Sequence, residues 1–287
     1  MPLMSRLLAT VLATALPLSA AAQETLYFSA IPDEDETRLV ERFTAVADYL
    51  SEELGVPVEF VPVKSYPAAV TAFRNDQVQL AWFGGLSGVQ ARLLVDGARA
   101  IAQGDEDTSF VSYFIAHTDT GLTESEDFPE AARGMSFTFG AKTSTSGRLM
   151  PEYAIRENTG EAPEEFFDRV GFSGDHSQTL RLVASGAWQV GALNYAVYDQ
   201  AVADNAPEVE TANVIWKTPP YPDYNWTIRG DVDARWGEGF ADKVQAALVG
   251  MDDPDLLAAF PRNAFIPAAN EDYAPIEQVA RDLDLLE

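Results

Sequence analysis

The sequence predicts an α/β chain folded as two lobes, and three observations carry that prediction. Apolar runs of strand length alternate with segments of helical spacing, the order that builds a parallel or mixed sheet with helices on its faces. About 265 of the 287 residues remain once an N-terminal leader is set aside, more than a single core usually holds. Two strand-to-helix junctions, Phe83-Gly84-Gly85-Leu86-Ser87 and Thr143 to Gly147, have the small and hydroxyl-bearing composition expected where ligands gather at strand carboxyl ends.

Taken in order, Leu26 to Ala30 reads as the first strand, ended by Pro32, and Arg38 to Leu54 has helical spacing closed by Gly55. Val58 to Val63 is a strand, Tyr66 to Arg74 a helix, Val78 to Phe83 a short strand and Leu86 to Val95 a helix. Strands follow at Phe110 to Ala116 and Met135 to Phe139, separated by an acidic loop. Helices are expected at Leu149 to Asn158 and Gln178 to Ser185, and a strand at Gln189 to Leu193 leads into Asn194-Tyr195. Beyond Val214-Ile215-Trp216, the proline-rich Thr218 to Pro222 reads as a crossing between lobes, and Gly239 to Gly250 and Asp255 to Ala259 are helical. The expected organisation is a leader at 1–22, a first lobe from 23–117 plus 221–287, and a second lobe from 118–220.

The leader is expected from Arg6, the apolar Leu7 to Leu18 and the small Ala20-Ala21-Ala22, the pattern of a cleavable secretory signal. No later apolar run reaches 18 residues, so a membrane anchor is not expected. The chain has no cysteine, which removes disulfides, thiolate metal sites, a cysteine nucleophile and a lipid-modified N-terminal cysteine. An exported, periplasmic protein is the expectation.

Nineteen basic residues stand against 45 acidic ones, a net charge of −26, or −27 once Arg6 is lost (−26 − 1). Nucleic acid is therefore excluded as an expected partner. Scattered acids such as Asp33-Glu34-Asp35-Glu36 and Asp252-Asp253 read as a solubilising surface. Two histidines, His117 and His176, do not make a multi-histidine zinc site, and no carboxylate run has calcium-loop spacing. No metal or cofactor is expected.

The row Ser144-Thr145-Ser146-Gly147, between a strand and a helix, places three hydroxyls at a helix N-terminus. Unpaired N–H groups, the positive end of the helix dipole and rotatable O–H donors suit a tetrahedral oxyanion. One of the three also suffices as an ordinary N-cap, and the local sequence leaves both readings open. Net charge does not forbid an anion, because donors act locally while distant charge is screened over roughly 8 Å.

These junctions, read in order, resemble the periplasmic phosphate-, phosphite- and phosphonate-binding components of ABC importers. The resemblance covers nearly all of the chain after the leader and is carried by four pieces. They are Ala81 to Ser87, Ser144 to Gly147 followed by Pro151, His176 before a helix, and Ile215-Trp216-Lys217-Thr218-Pro219. It implies the bilobal type II solute-binding fold, two mixed-sheet lobes joined by two hinge crossings, with ligand in the interlobe cleft. It also implies an inner-membrane permease as partner, a monomer, and no catalysis. By the same resemblance Tyr66 donates its hydroxyl to the oxyanion, Ser144, Thr145 and Ser146 form the cradle, and His176 contacts the ligand from the second lobe. Phe83, Asn194, Tyr195 and Tyr224 complete the expected ligand-binding set, with Trp226 as a further aromatic wall.

Two departures bear on specificity. Phe83 stands where relatives that bind aminoalkylphosphonates carry a tyrosine, so a donor is missing. Where those relatives place a carboxylate for the amino group, this chain aligns best at Tyr224, with Asp223 one residue away. An ammonium buried without a counter-charge would cost several kcal/mol. The expectation is a small oxyanion, whether phosphonate, phosphite, phosphate or the selenate of a similar branch of the family, with 2-aminoethylphosphonate as the alternative. A hydrolase built from Ser144 or Ser146 with His176 is the rival class, but no G-x-S-x-G elbow is present. A ligand-sensing partner of a membrane receptor is a third reading.

Overall fold

Leu26, Phe28 and Ala30 are buried and flanked on both sides by strands, which makes the first apolar run an inner strand of its sheet. The chain is described here by a computed structural model over residues 23–34 and 36–286. The expected leader, 1–22, lies outside the described residues.

The first lobe is built on β1 (Leu26–Ala30), α1 (Glu36–Leu54), β2 (Val58–Phe60), α2 (Tyr66–Arg74), β3 (Leu80–Phe83), α3 (Gly85–Leu94) and β4 (Arg99–Gly104). The chain then crosses into β5 (Ser112–His117), β6 (Ser136–Phe139), a π-helical turn (Thr145–Leu149), α4 (Met150–Thr159) and the short α5 (Pro163–Phe166). The second lobe continues with β7 (Arg169–Phe172), α6 (His176–Ala184), β8 (Val190–Asn194), α7 (Tyr195–Ala203) and β9 (Ala212–Lys217). It returns to the first lobe as β10 (Asn225–Ile228), α8 (Val232–Trp236), α9 (Phe240–Val249), α10 (Pro254–Leu257), β11 (Phe265–Pro267) and α11 (Ala274–Asp282).

The two sheets run β11-β4-β10-β3-β1-β2 and β7-β6-β8-β5-β9. Each is mixed. β1 is parallel to β2 and β3, β6 is parallel to β7 and β8, and the strands next to the crossings are antiparallel. β5 pairs with β8 and β9, so the second sheet begins at Ser112. The two crossings lie side by side: Phe110 and Tyr221 exchange a pair of backbone hydrogen bonds, each 2.9 Å.

Strands β4, β7, β10 and β11 and helices α5, α7, α8 and α11 had no counterpart among the expected segments. β10 is the instructive one. Its Asn225 and Thr227 are polar yet fully buried, bonded to each other and to Arg92 of α3. Asn225-Trp226-Thr227-Ile228 alternates polar and apolar like a half-exposed strand, yet all four residues are buried. The first lobe has one large core. The second has one cluster around Phe114, Phe137, Phe139 and Trp216 and another around Ile115, Leu180 and Leu193, with neighbouring β5 residues on opposite faces.

Candidate functional site

The carboxyl ends of β1 and β3 in one lobe and of β6, β7 and β8 in the other meet across the cleft, so the loops that follow them form its walls. Tyr66 is the first residue of α2, placed there by Ser65, whose side chain accepts the Ala68 N–H, and by Pro67. Its side chain is buried and its hydroxyl has no hydrogen-bond partner. Burial and the nearby Asp33 carboxyl push its pKa well up, so it remains a donor.

In the hydroxyl row, Ser144 is the cap: its Oγ accepts the Gly147 N–H at 2.9 Å. Both sequence readings are therefore compatible, because one hydroxyl caps and the others remain. The π-helical turn then leaves the N–H groups of Thr145 and Ser146 without an acceptor inside the helix. Gly147 lets this turn lie against the second-lobe loops. A Cβ there would meet Ser144 Oγ at 3.0 Å, Gly140 Cα at 3.1 Å and His176 Cε1 at 3.1 Å. Thr145 reaches across the cleft, its Oγ1 accepting the Leu86 N–H of α3 at 3.0 Å. The Ser146 carbonyl accepts from Ser112 Oγ, which also meets the Tyr221 hydroxyl at the hinge.

His176 is the first residue of α6, behind the cap residue Asp175, and is fully buried. Its Nδ1 accepts the Asn194 N–H at 3.2 Å, which assigns the proton to Nε2, and Nε2 has no partner. Burial lowers its pKa to about 3, so the ring is a neutral donor across the physiological range.

Asp223, one residue from the aligned position, is fully buried in the same place. Its Oδ1 accepts the Gly85 N–H at 2.8 Å and its Oδ2 has no partner. Burial raises its pKa to about 7 against the hydrogen bonds from Gly85 and Thr145. Its backbone N–H is held by the Asp107 carbonyl. Asp107 itself forms a buried two-pronged pair with Arg262, at 2.6 and 2.8 Å.

The other expected site residues pack differently. Phe83 is in the first-lobe core, edge-on to Phe73 at 5.7 Å. Tyr195 is half-buried, its ring against Phe110 of the hinge at 4.8 Å. Trp226 lies among Phe28, Trp82 and Phe260. Asn194 uses its Oδ1 to cap α7 through the Ala196 N–H and its Nδ2 to donate to the Tyr224 hydroxyl. The Tyr224 hydroxyl in turn donates to Asp33 Oδ2 at 2.7 Å, and its ring stacks on Trp82.

Asp33 corrects the reading of its acidic run as solvated surface. Its carboxyl sits half-buried between the lobes, with its pKa raised to about 7 by desolvation and by Glu34. Nothing in a run of four acids singles out Asp33; the signal is only its place just after a strand end, at the cleft.

A bilobal α/β fold with buried polar groups at opposed strand ends has the architecture of a solute-binding protein. The family model described as "ABC transporter, phosphonate, periplasmic substrate-binding protein" matches residues 28–273. The probable ABC transporter phosphite binding protein PhnD1 of Prochlorococcus marinus (strain MIT 9301) is 38% identical over 266 residues, 90% of each chain. The phosphonates-binding periplasmic protein of Escherichia coli (strain K12) is 26% identical over 210 residues, covering 72% of this chain and 61% of that one. Among solved structures, P. marinus PhnD1 in complex with methylphosphonate superposes with a TM-score of 0.87 at 38% identity, covering 91% of this chain and 98% of that one. The chain belongs to the family of periplasmic substrate-binding proteins of phosphonate ABC transporters. It is thus the substrate-binding component of an importer, working in the periplasm with a membrane permease.

Proposed function

We propose that this chain captures a small, singly protonated phosphorus oxyanion, of which methylphosphonate and phosphite are the leading examples. The observation that carries this reading is the set of buried polar atoms without partners. Tyr66 Oη and His176 Nε2 are donors, and Asp223 Oδ2 is an acceptor. Tyr66, Ser144, Thr145, Ser146 and His176 supply hydrogen bonds to the anionic oxygens, and Asp223 accepts the proton of a P–OH group. Asn194, Tyr195 and Tyr224 brace the walls, and Phe83 packs in the first-lobe core. The P. marinus relative with methylphosphonate supports the ligand class.

The acceptor separates the candidates. Sulfate and selenate, fully ionised at neutral pH, bring no proton, so they fit only where the Asp223 carboxyl carries its own, and its pKa of about 7 makes that form rarer as pH rises. An ammonium needs three acceptors, whereas Asp223 offers one unpartnered oxygen and the Asp33 carboxyl already receives Tyr224, which disfavours 2-aminoethylphosphonate. Binding proceeds without chemistry, and closure follows from tighter contact in the closed form. We read residues 1–22 as a cleaved signal, the working protein as a monomer, and the lobes as divided at the Phe110–Tyr221 crossing.

Calorimetry with methylphosphonate, phosphite, phosphate, sulfate, selenate and 2-aminoethylphosphonate tests this. The phosphorus oxyanions are expected to bind more tightly than sulfate or selenate at pH 7, and sulfate and selenate binding should weaken by up to about tenfold per pH unit above 7 as Asp223 loses its proton. Selenate binding equal to methylphosphonate would overturn the role of Asp223.

A further inference from the structure

Two helix N-termini face each other across the cleft, and each is completed by the opposite lobe. α3 starts after Gly84, which has no side chain to cap it, and its Leu86 N–H is taken by Thr145 of the second lobe. At the start of α6, the His176 N–H donates to the Asp33 carbonyl of the first lobe at 3.1 Å. The first N–H groups of a helix have no acceptor within it, so separating the lobes returns both to water.

Asp33 makes a second tie with its side chain. Oδ2 accepts the Tyr224 hydroxyl at 2.7 Å, and that hydroxyl accepts Asn194 Nδ2 of the second lobe at 3.1 Å. The two second-lobe residues reached in this way, His176 and Asn194, are the pair whose own hydrogen bond assigns the imidazole proton to Nε2. One residue of the first lobe thus holds both, by its carbonyl and through Tyr224.

We propose that Asp33 is a positioning residue that clamps the second lobe shut and sets the His176 Nε2–H toward the ligand, without itself touching the ligand. This rests on the binding reading above. The clamp shows in the dissociation rate, because its bonds form only as the lobes close, after the ligand has met an open cleft.

The absence of cysteine allows a clean pair of spin labels at Glu53→Cys and Glu157→Cys, two exposed positions on α1 and α4, one in each lobe. Asp33→Ala is expected to shift the ligand-free interlobe distances toward longer values. In stopped-flow measurements it should release methylphosphonate about tenfold faster with little change in association rate. Asp33→Asn, which keeps an acceptor for Tyr224, should recover most of the wild-type behaviour. Tyr224→Phe should reproduce the alanine variant, and the double variant should add little to either. Wild-type distances and dissociation rates in Asp33→Ala or Tyr224→Phe would overturn the clamp, as would equal defects in Asp33→Asn and Asp33→Ala. If Asp33→Ala does not fold, Tyr224→Phe decides. Should wild type not bind methylphosphonate, the ligand assignment falls, while the ligand-free distances still decide the clamp.

Discussion

Thr145 joins the two sides of the cleft with a single hydroxyl. Its oxygen accepts the Leu86 N–H, so its own proton remains for one acceptor, Asp223 or a bound anion. Thr145→Val keeps the shape and loses both roles, whereas Thr145→Ser keeps both. Calorimetry with methylphosphonate is expected to show about 2–3 kcal/mol weaker binding for the valine variant and a change under about 1 kcal/mol for serine. Equal affinities for valine and wild type would remove Thr145 from the site. At this scale the sequence offers the hydroxyl row and His176 as candidate donors, from residue type and position between strand and helix. Asp33 was not: one carboxylate in an acidic run is indistinguishable from its neighbours until the fold turns it inward. The proton position on His176 likewise depends on the Asn194 N–H, 18 residues away.

The elements place these side chains through their ends. α2 aims Tyr66 into the cleft because Ser65 caps it and Pro67 sets its first turn. Ser65→Ala is expected to cost about 1 kcal/mol of stability in urea unfolding, and to weaken methylphosphonate binding by freeing the turn that carries Tyr66. A stability loss with unchanged binding would limit the cap to a structural role. Most strand-to-helix junctions around the site were legible from turn residues and periodicity. β4, β10 and α7 were not, for a common reason: their patterns are set by burial against other elements. β10 hides Asn225 and Thr227 by bonding them to Arg92, and α7 buries Ala196, Val197 and Tyr198 in succession. α7 thus lacks the one-sided stripe of a surface helix, while the short β10 carries an ordinary alternation whose polar half is buried as well.

For the whole molecule, closure concentrates acidity where water is excluded. Asp33 and Asp223 are both raised from 3.8 to about 7. The folded, closed protein therefore holds these protons more tightly than the unfolded chain does. Their contribution favours folding in full below about pH 3.8 and is lost as pH rises toward 7. The ligand-free melting temperature is thus expected to fall between pH 5 and 8, and Asp223→Asn should flatten part of that slope. An identical slope in wild type and variant, measured by calorimetric scans in one buffer series, would show that Asp223 titrates as an ordinary carboxyl. A bound P–OH supplies the Asp223 carboxylate with a proton to accept, so ligand should raise the melting temperature most above pH 7.

The sequence by itself determined the class of the molecule: alternating elements, two lobes, a hydroxyl row before a helix, and the order of motifs that marks the family. Those features are local, written in periodicity, turn residues and short spacings, and they survive without knowledge of neighbours. Only the tertiary structure decided which polar atoms are buried without partners, that the His176 proton sits on Nε2, that Asp223 Oδ2 has no partner, and that Asp33 bonds to the opposite lobe. Each of these depends on hydrogen bonds and burial between residues far apart in the chain. Solvation, the quantity that separates a surface acid from a binding group, belongs to the folded arrangement.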